Sequence, residues 1–150
     1  MNLIVKLLAT WGGSGYAPVA SGTFGTLAAI PFYLLLAPLS LPLYLLTLVA
    51  FFFLACWVSG RAEVIFGEQD CGKIVIDEVV GYLVTMAAIP VDWRYVVAGF
   101  FLFRFFDIVK VPPARWFDRQ LKNGYGVVLD DVAAGAYSWL ILWLLTRVWR

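Results

Sequence analysis

The amino-acid sequence predicts an all-α, polytopic integral membrane protein, a bundle of about five transmembrane or membrane-embedded helices. Three observations predict it. Of the 150 residues, 63% are hydrophobic and only 14% charged, against roughly a half and a quarter in soluble domains, and the mean hydropathy is +0.87. An excess of that size cannot be hidden in the core of so small a soluble domain, so a bilayer is the expected solvent. From Leu7 to Gly60 no residue is charged, a length sufficient for two spans of about twenty residues each. Polar, glycine-rich stretches then alternate with apolar ones to the end of the chain. No internal repeat interrupts them, and residues 1–150 read as one membrane-embedded domain.

Met1 to Trp11 carries one lysine and a brief apolar run, which reads as mature protein and not as a cleaved signal. The first polar loop is Thr10 to Thr26. Two apolar spans follow, Leu27 to Leu39 and Leu41 to Ser59, broken by Pro38 and Pro42. A second loop, Arg61 to Asp77, leads into a helical hairpin, Glu78 to Pro90 and Trp93 to Phe106, turning at Val91-Asp92. The third loop is Asp107 to Asp131, and a last span runs from Val132 to Trp149. Several spans are short. Polar residues facing the bundle interior would complete them, or the first would be re-entrant.

Parity then sets the topology. Two spans separate each polar loop from the next, so all three loops lie on one side. That side carries Lys6, Arg61, Lys73, Arg104, Lys110, Arg115, Arg119 and Lys122, and the other only Arg94, Arg147 and Arg150. By the positive-inside rule the loop side is cytoplasmic. Trp57, Trp93, Tyr95 and Trp149, near span ends, fit an interfacial aromatic belt.

Composition excludes several functions. The net charge of +1, with no basic run, offers nothing to a nucleic acid. Cys56 and Cys71 form neither a disulfide framework nor a zinc motif. The chain has no histidine, which removes histidine bases, phosphohistidine intermediates and histidine metal ligands together.

The acids are the informative residues. Asp77 and Glu78 begin the third span, Asp107 ends the fourth, and Asp130 and Asp131 begin the fifth. The topology puts all five at one membrane depth, where they repel one another strongly and a divalent cation would relieve the repulsion. An oxygen-only ligand set favours Mg²⁺, or Mn²⁺, over zinc. Acids are common at helix N-termini, which accounts for Asp77, Glu78, Asp130 and Asp131 one at a time. It does not account for Asp107, at a helix C-terminus.

Cations accompany the acids at helical spacing: Arg104 and Lys110 each lie three residues from Asp107, and Lys73 precedes Asp77 by four. Arg or Lys beside a metal neutralises a phosphate. Arg115 and Lys122 read more simply as positive-inside anchors. The first loop adds Gly12, Gly13, Gly15, Gly22 and Gly25 with Thr10, Ser14, Ser21, Thr23 and Thr26. Its glycines would let backbone N–H groups approach an anion ahead of a helix starting near Thr26. P-loop spacing is absent, so no nucleoside triphosphate site is expected. Gly81 and Gly135, one turn after Asp77 and Asp131, would permit the close helix packing that brings the acidic ends together.

Taken in order, GSGYAPVASGTFGTLAAIP (Gly13 to Pro31), DCGKIVIDEVVG (Asp70 to Gly81), FRFFDIVKVPPARWFDR (Phe103 to Arg119) and NGYGVVLDDVAAG (Asn123 to Gly135) resemble the phosphatidylglycerophosphatase A family. The resemblance implies an integral enzyme of the bacterial inner membrane, its active site facing the cytoplasm. Such an enzyme removes the terminal phosphate of phosphatidylglycerophosphate, a membrane phospholipid, with Mg²⁺. The family's acidic motif residues match Asp70, Asp77, Glu78, Asp107, Asp118, Asp130 and Asp131, and its basic ones Lys73, Arg104, Lys110 and Arg119. The chain departs from the usual pattern at Ser21, Val111 and Asn123, and every acid is in place.

The expected mechanism is metal-assisted phosphomonoester hydrolysis. Asp77, Glu78, Asp107, Asp130 and Asp131 hold the metal; Asp107 and Asp131 are the catalytic candidates. Lys73, Arg104, Lys110 and Arg119, with Thr10, Gly22 and Thr23, bind the phosphate. Water and an aspartate both remain open as the nucleophile. A divalent-cation channel or transporter is the rival use of such acids, but it predicts them at mid-span, and these lie at helix ends. A purely structural membrane subunit leaves their clustering unexplained.

Overall fold

In an apolar environment the backbone must satisfy its own N–H and C=O groups, and within one chain segment only a helix does so. The computed structural model describes residues 2–68, 71–109, 112 and 124–149, and is all-α, with no strand among them. Among the described residues six α-helices follow one another, with a short 3-10 turn (Ser14–Tyr16) after the first: α1 (Asn2–Ala9), α2 (Ser21–Leu36), α3 (Leu41–Phe66), α4 (Ile76–Thr85), α5 (Trp93–Val109) and α6 (Gly124–Val148).

Among the described residues two helices, α3 and α6, are long and apolar enough to cross a membrane. At 26 residues for α3 and 25 for α6, each reaches well over the ~30 Å of a hydrocarbon core at about 1.5 Å per residue. Of the most apolar part, 28% of α3 and 44% of α6 is buried, so much of each apolar surface faces outward. Pro42 in the first turn of α3 sits where its missing N–H has no partner to lose. Gly67, at φ +68°, ends the helix, its N–H and that of Glu68 returning to the carbonyls of Val64 and Glu63.

Helix α4 is the axis of the molecule. Ile76, Asp77, Val79, Val80, Gly81, Tyr82, Leu83 and Thr85 are all buried, packed by α2, α3, α5 and α6. Its start is tied down by the Val75 N–H, which donates to the Ala9 carbonyl at 2.8 Å. Its end would leave buried carbonyls without partners. The Tyr44 hydroxyl donates to Leu83 O at 2.6 Å and the Trp139 indole to Ala87 O at 2.7 Å, supplying them.

From α2 to α6 the helices run alternately between two ends. Ser21, Asp77, Asp107 and Asp130 line one cleft at the near end. Leu39, Leu41, Ile89 and Val91 line a cavity at the far end, where the Tyr95 hydroxyl also meets the Trp149 carbonyl.

Element boundaries differ from the sequence reading. Helix α2 begins at Ser21, so Gly22, Thr23 and Thr26 are helical and not loop. Helix α3 continues past Arg61 to Phe66, and α5 past Asp107 to Val109. Helix α6 begins at Gly124, which places Asp130 and Asp131 about two turns inside it instead of at its start. Thr26, Asp130 and Asp131 are buried against protein and Asp107 is nearly so, while Arg61 is exposed, so the end of an apolar run is not the end of a helix. Helix α4 has only ten residues, about 15 Å of rise, and is too short to cross by itself.

Candidate active site

Three helix segments build the site. Asp77 and Glu78 occupy the first turn of α4, where unpaired N–H groups and the helix dipole favour anions. Asp107 lies in the last turn of α5, where the dipole opposes it. Its charge is met by Arg104, one turn back, in an ion pair whose guanidinium donates to Asp107 Oδ2. Asp130 and Asp131 come from α6, both buried.

Glycines set the spacing between these segments. A Cβ on Gly135 would stand 2.5 Å from Gly81 O, and one on Gly81 would stand 2.3 Å from the Phe103 ring and 2.9 Å from Asp131 O. Only bare backbones fit where α4, α5 and α6 meet, one turn beyond the acids. The expected role of Gly81 and Gly135 holds.

The acids converge as a result. Carboxylate oxygens of Asp77, Glu78 and Asp131 all lie within 4.8 Å of one another, and so do those of Asp107, Asp130 and Asp131. Asp131, only 1% exposed, belongs to both groups. Asp77 Oδ1, Glu78 Oε2, Asp131 Oδ2 and Arg104 Nε are buried without a hydrogen-bond partner. A buried polar atom without a partner is costly and calls for an explanation. Oxygens opposed across a Mg²⁺ stand about 4 Å apart, at 2.0–2.1 Å from the ion, so both groups match the hard-cation donor set in type and spacing. These clusters can hold a metal ion.

Around the acids is a cleft of about 240 Å³, lined also by Ser21, Gly22, Cys71, Gly72, Ile74, Arg104 and Ile108. Gly22 is there for space: a Cβ on it would lie 2.9 Å from an Arg104 nitrogen and 3.0 Å from Glu78 Oε1. Ser21 Oγ donates to Gly72 O at 2.7 Å, fastening the start of α2 to the loop before α4. Ser21 and Cys71 were not among the expected site residues. Ser21 stood in the glycine-rich motif without a distinguishing partner, and Cys71 is a buried thiol whose place follows only from the tertiary fold.

Other expected phosphate-binding residues sit elsewhere. The Thr10 hydroxyl donates to Lys6 O at 2.7 Å and accepts from the Gly13 N–H at 3.2 Å, so it closes the turn after α1 and does not line the cleft. Gly12 and Gly13, at φ +68° and +95°, make that turn. Gly15 lets it press on the loop before α4, since a Cβ there would overlap Lys73 O. Thr23 is helical and likewise outside the cleft lining. The Lys73 ammonium lies 5.4 Å from the centre of the Phe66 ring, which Lys6 also approaches, at 5.8 Å, and Lys73 does not line the cleft. Lys110 and Arg119, with Asp70 and Asp118, lie outside the described residues.

Comparison with known proteins identifies the family. The family model for phosphatidylglycerophosphatase A matches residues 7–146. The Escherichia coli (strain K12) protein named phosphatidylglycerophosphatase A is 40% identical over 95% of this chain and 84% of its own length. The protein of the same name from Haemophilus influenzae is 40% identical over 94% of this chain and 88% of its own. A Bacteroides thetaiotaomicron protein, provisionally named a phosphatidylinositol-3-phosphatase, is also 40% identical, over 94% and 92%. No solved structure matches. With a family match over residues 7–146 and relatives 40% identical over most of its length, the chain belongs to the phosphatidylglycerophosphatase A family.

Proposed function

We propose that the protein is a Mg²⁺-dependent lipid phosphatase of the bacterial inner membrane. It hydrolyses phosphatidylglycerophosphate to phosphatidylglycerol and inorganic phosphate. The observation that carries this reading is the cluster of Asp77, Glu78, Asp107, Asp130 and Asp131 beside Arg104, with one oxygen each of Asp77, Glu78 and Asp131 buried and unpaired, at the end of an apolar bundle. The relatives' names supply the substrate. All three named relatives would act on a phosphomonoester carried by a membrane lipid, which fits a polar cleft at the edge of an apolar body.

Asp77, Glu78, Asp107, Asp130 and Asp131 would hold the metal, which when bound neutralises phosphoryl charge and lowers the pKa of water. Arg104, whose Nε has no partner and whose guanidinium pairs with Asp107, would hold a phosphate oxygen while keeping Asp107 in position. Asp107 and Asp131 are the catalytic carboxylates in this reading, and one of them would take the proton of an attacking water as its oxygen bonds to phosphorus. The ester P–O bond then breaks, and that proton passes from the carboxylate to the leaving lipid alkoxide. Lys110 and Arg119 complete the phosphate site in this reading, through the family motif alone. A cation channel gains no support, because the family match is to phosphatases.

In the membrane, α3 and α6 would span fully. The shorter α2 and α5 are embedded beside them, and α4 is enclosed by the rest, giving five passes with the cleft facing the cytoplasm. The split of cations supports that orientation. In a cysteine-free background, Lys122→Cys should label only from the cytoplasm and Asp92→Cys only from outside. Labelling of both from one side removes the orientation. The activity itself is tested by phosphate release from a panel of lipid phosphates by purified protein, with and without Mg²⁺. Release from phosphatidylglycerophosphate should need the metal and stop in excess EDTA. Full activity in EDTA overturns the metal reading, and preference for a phosphoinositide overturns the substrate.

A further inference from the structure

The acids form two groups rather than one. Asp77, Glu78 and Asp131 make the first, Asp107, Asp130 and Asp131 the second, each with its oxygens within 4.8 Å. Five carboxylates exceed what one Mg²⁺ takes, since that ion keeps several waters and is usually bound by one or two carboxylates. Independently, Asp131 is 99% buried with Oδ2 unpartnered and Asp77 is 93% buried with Oδ1 unpartnered. Unpartnered oxygens inside the cleft have a ligand still to meet.

We infer that the chain holds two divalent cations side by side, with Asp131 as their shared ligand. Asp77 and Glu78 complete one site; Asp107 and Asp130 complete the other. Paired ions in phosphoryl-transfer sites stand about 3.5–4 Å apart, a spacing one bridging carboxylate sustains, and together they stabilise the attacking and leaving oxygens. The inference rests on the metal-dependent reading above and adds to it the number of ions and the role of one residue.

Mn²⁺ is the probe. Chelator-stripped, detergent-solubilised full-length protein is titrated with Mn²⁺, following stoichiometry by calorimetry and coupling between ions by electron paramagnetic resonance. Two Mn²⁺ per chain with an exchange-coupled spectrum are expected. Asp131→Asn should abolish the coupling. Asp77→Asn and Asp130→Asn should each leave one Mn²⁺ with the spectrum of an isolated ion. All three remove a negative charge from a crowded cluster, and melting curves establish that each is folded. One uncoupled Mn²⁺ per wild-type chain overturns the two-ion site and leaves a one-metal phosphatase standing. Binding of no Mn²⁺ overturns both. Coupling that survives in Asp131→Asn overturns the shared ligand.

Discussion

The two ends of the bundle treat an aspartate in opposite ways. At the far end Asp92 caps α5: its Oδ1 accepts from the Arg94 N–H at 2.9 Å, and both its oxygens receive the Arg94 guanidinium. These hydrogen bonds hold its carboxyl below the usual range. Arg94 is in turn covered by the Trp149 ring, 5.1 Å away. At the near end Asp107 also pairs with an arginine on its own helix, yet around that pair stand four more acids. Side-chain exposure is 30% for each partner at the far end, and 15% and 11% for Arg104 and Asp107. A lone, half-exposed pair is complete in itself. A buried pair among surplus carboxylates is incomplete, and that incompleteness marks the near end as the site of chemistry.

Replacing Asp107 with asparagine breaks the comparison most sharply. The change keeps shape and hydrogen bonding and removes the anion. Loss of a transition-state electrostatic contact costs about a hundredfold or more in rate. Asp107→Asn should therefore insert, extract and melt like the parent while phosphate release falls by about two orders of magnitude. A variant that keeps more than about a tenth of the parental rate, far short of that loss, shows that Asp107 only balances charge.

The next effect is on assembly. Gly135→Ala drives a Cβ to 2.5 Å from the Gly81 carbonyl, a backbone atom that cannot swing aside. Overpacking of this kind costs about 1–3 kcal/mol. It should also part α4 from α6, lowering the melting temperature and the affinity for Mn²⁺ together. Gly99, nearer the far end, is the matched control. A Cβ there meets the Met86 sulfur at 2.6 Å, the mobile part of a flexible side chain. Gly99→Ala should lose less stability and leave metal affinity unchanged. Equal losses at both glycines remove the claim that close packing at the near end positions the acids.

The same contrast explains what could be read in the sequence. Asp77, Glu78, Asp107, Asp130 and Asp131 stood out because charge is rare in an apolar chain, and parity brought them to one end. Which acids share a neighbourhood depends on how α4, α5 and α6 are rotated about their axes. Gly81, Phe103 and Gly135 settle that by direct contact, so the double membership of Asp131 was not legible. Glycine and serine are weak helix formers, which made Ser21 to Thr26 look like loop. Val75 packs against Gly25, and Glu78 and Arg104 against Gly22, so tertiary contact overrides that preference. Thr10 and Lys73 were named for their chemistry, but a hydroxyl and an ammonium suit a turn and an aromatic face as well as a phosphate.

The smallest effect is expected at Asp92. Asparagine caps a helix about as well as aspartate, so Asp92→Asn keeps the acceptor for the Arg94 N–H and gives up only the charge. Arg94 retains its place over the Trp149 and Tyr95 rings, and Tyr95 remains fixed by its hydroxyl on the Trp149 carbonyl at 2.6 Å. Nothing in that corner reaches the acid cluster, which lies at the other end of α5. Phosphate release and Mn²⁺ binding should both stay at the parental level. The melting temperature should move slightly at most, and less in high salt, which screens an exposed pair. A large loss of activity in Asp92→Asn, with the fold intact by melting, would mean that the far end contributes to the reaction and that incompleteness of pairing is the wrong criterion for locating it.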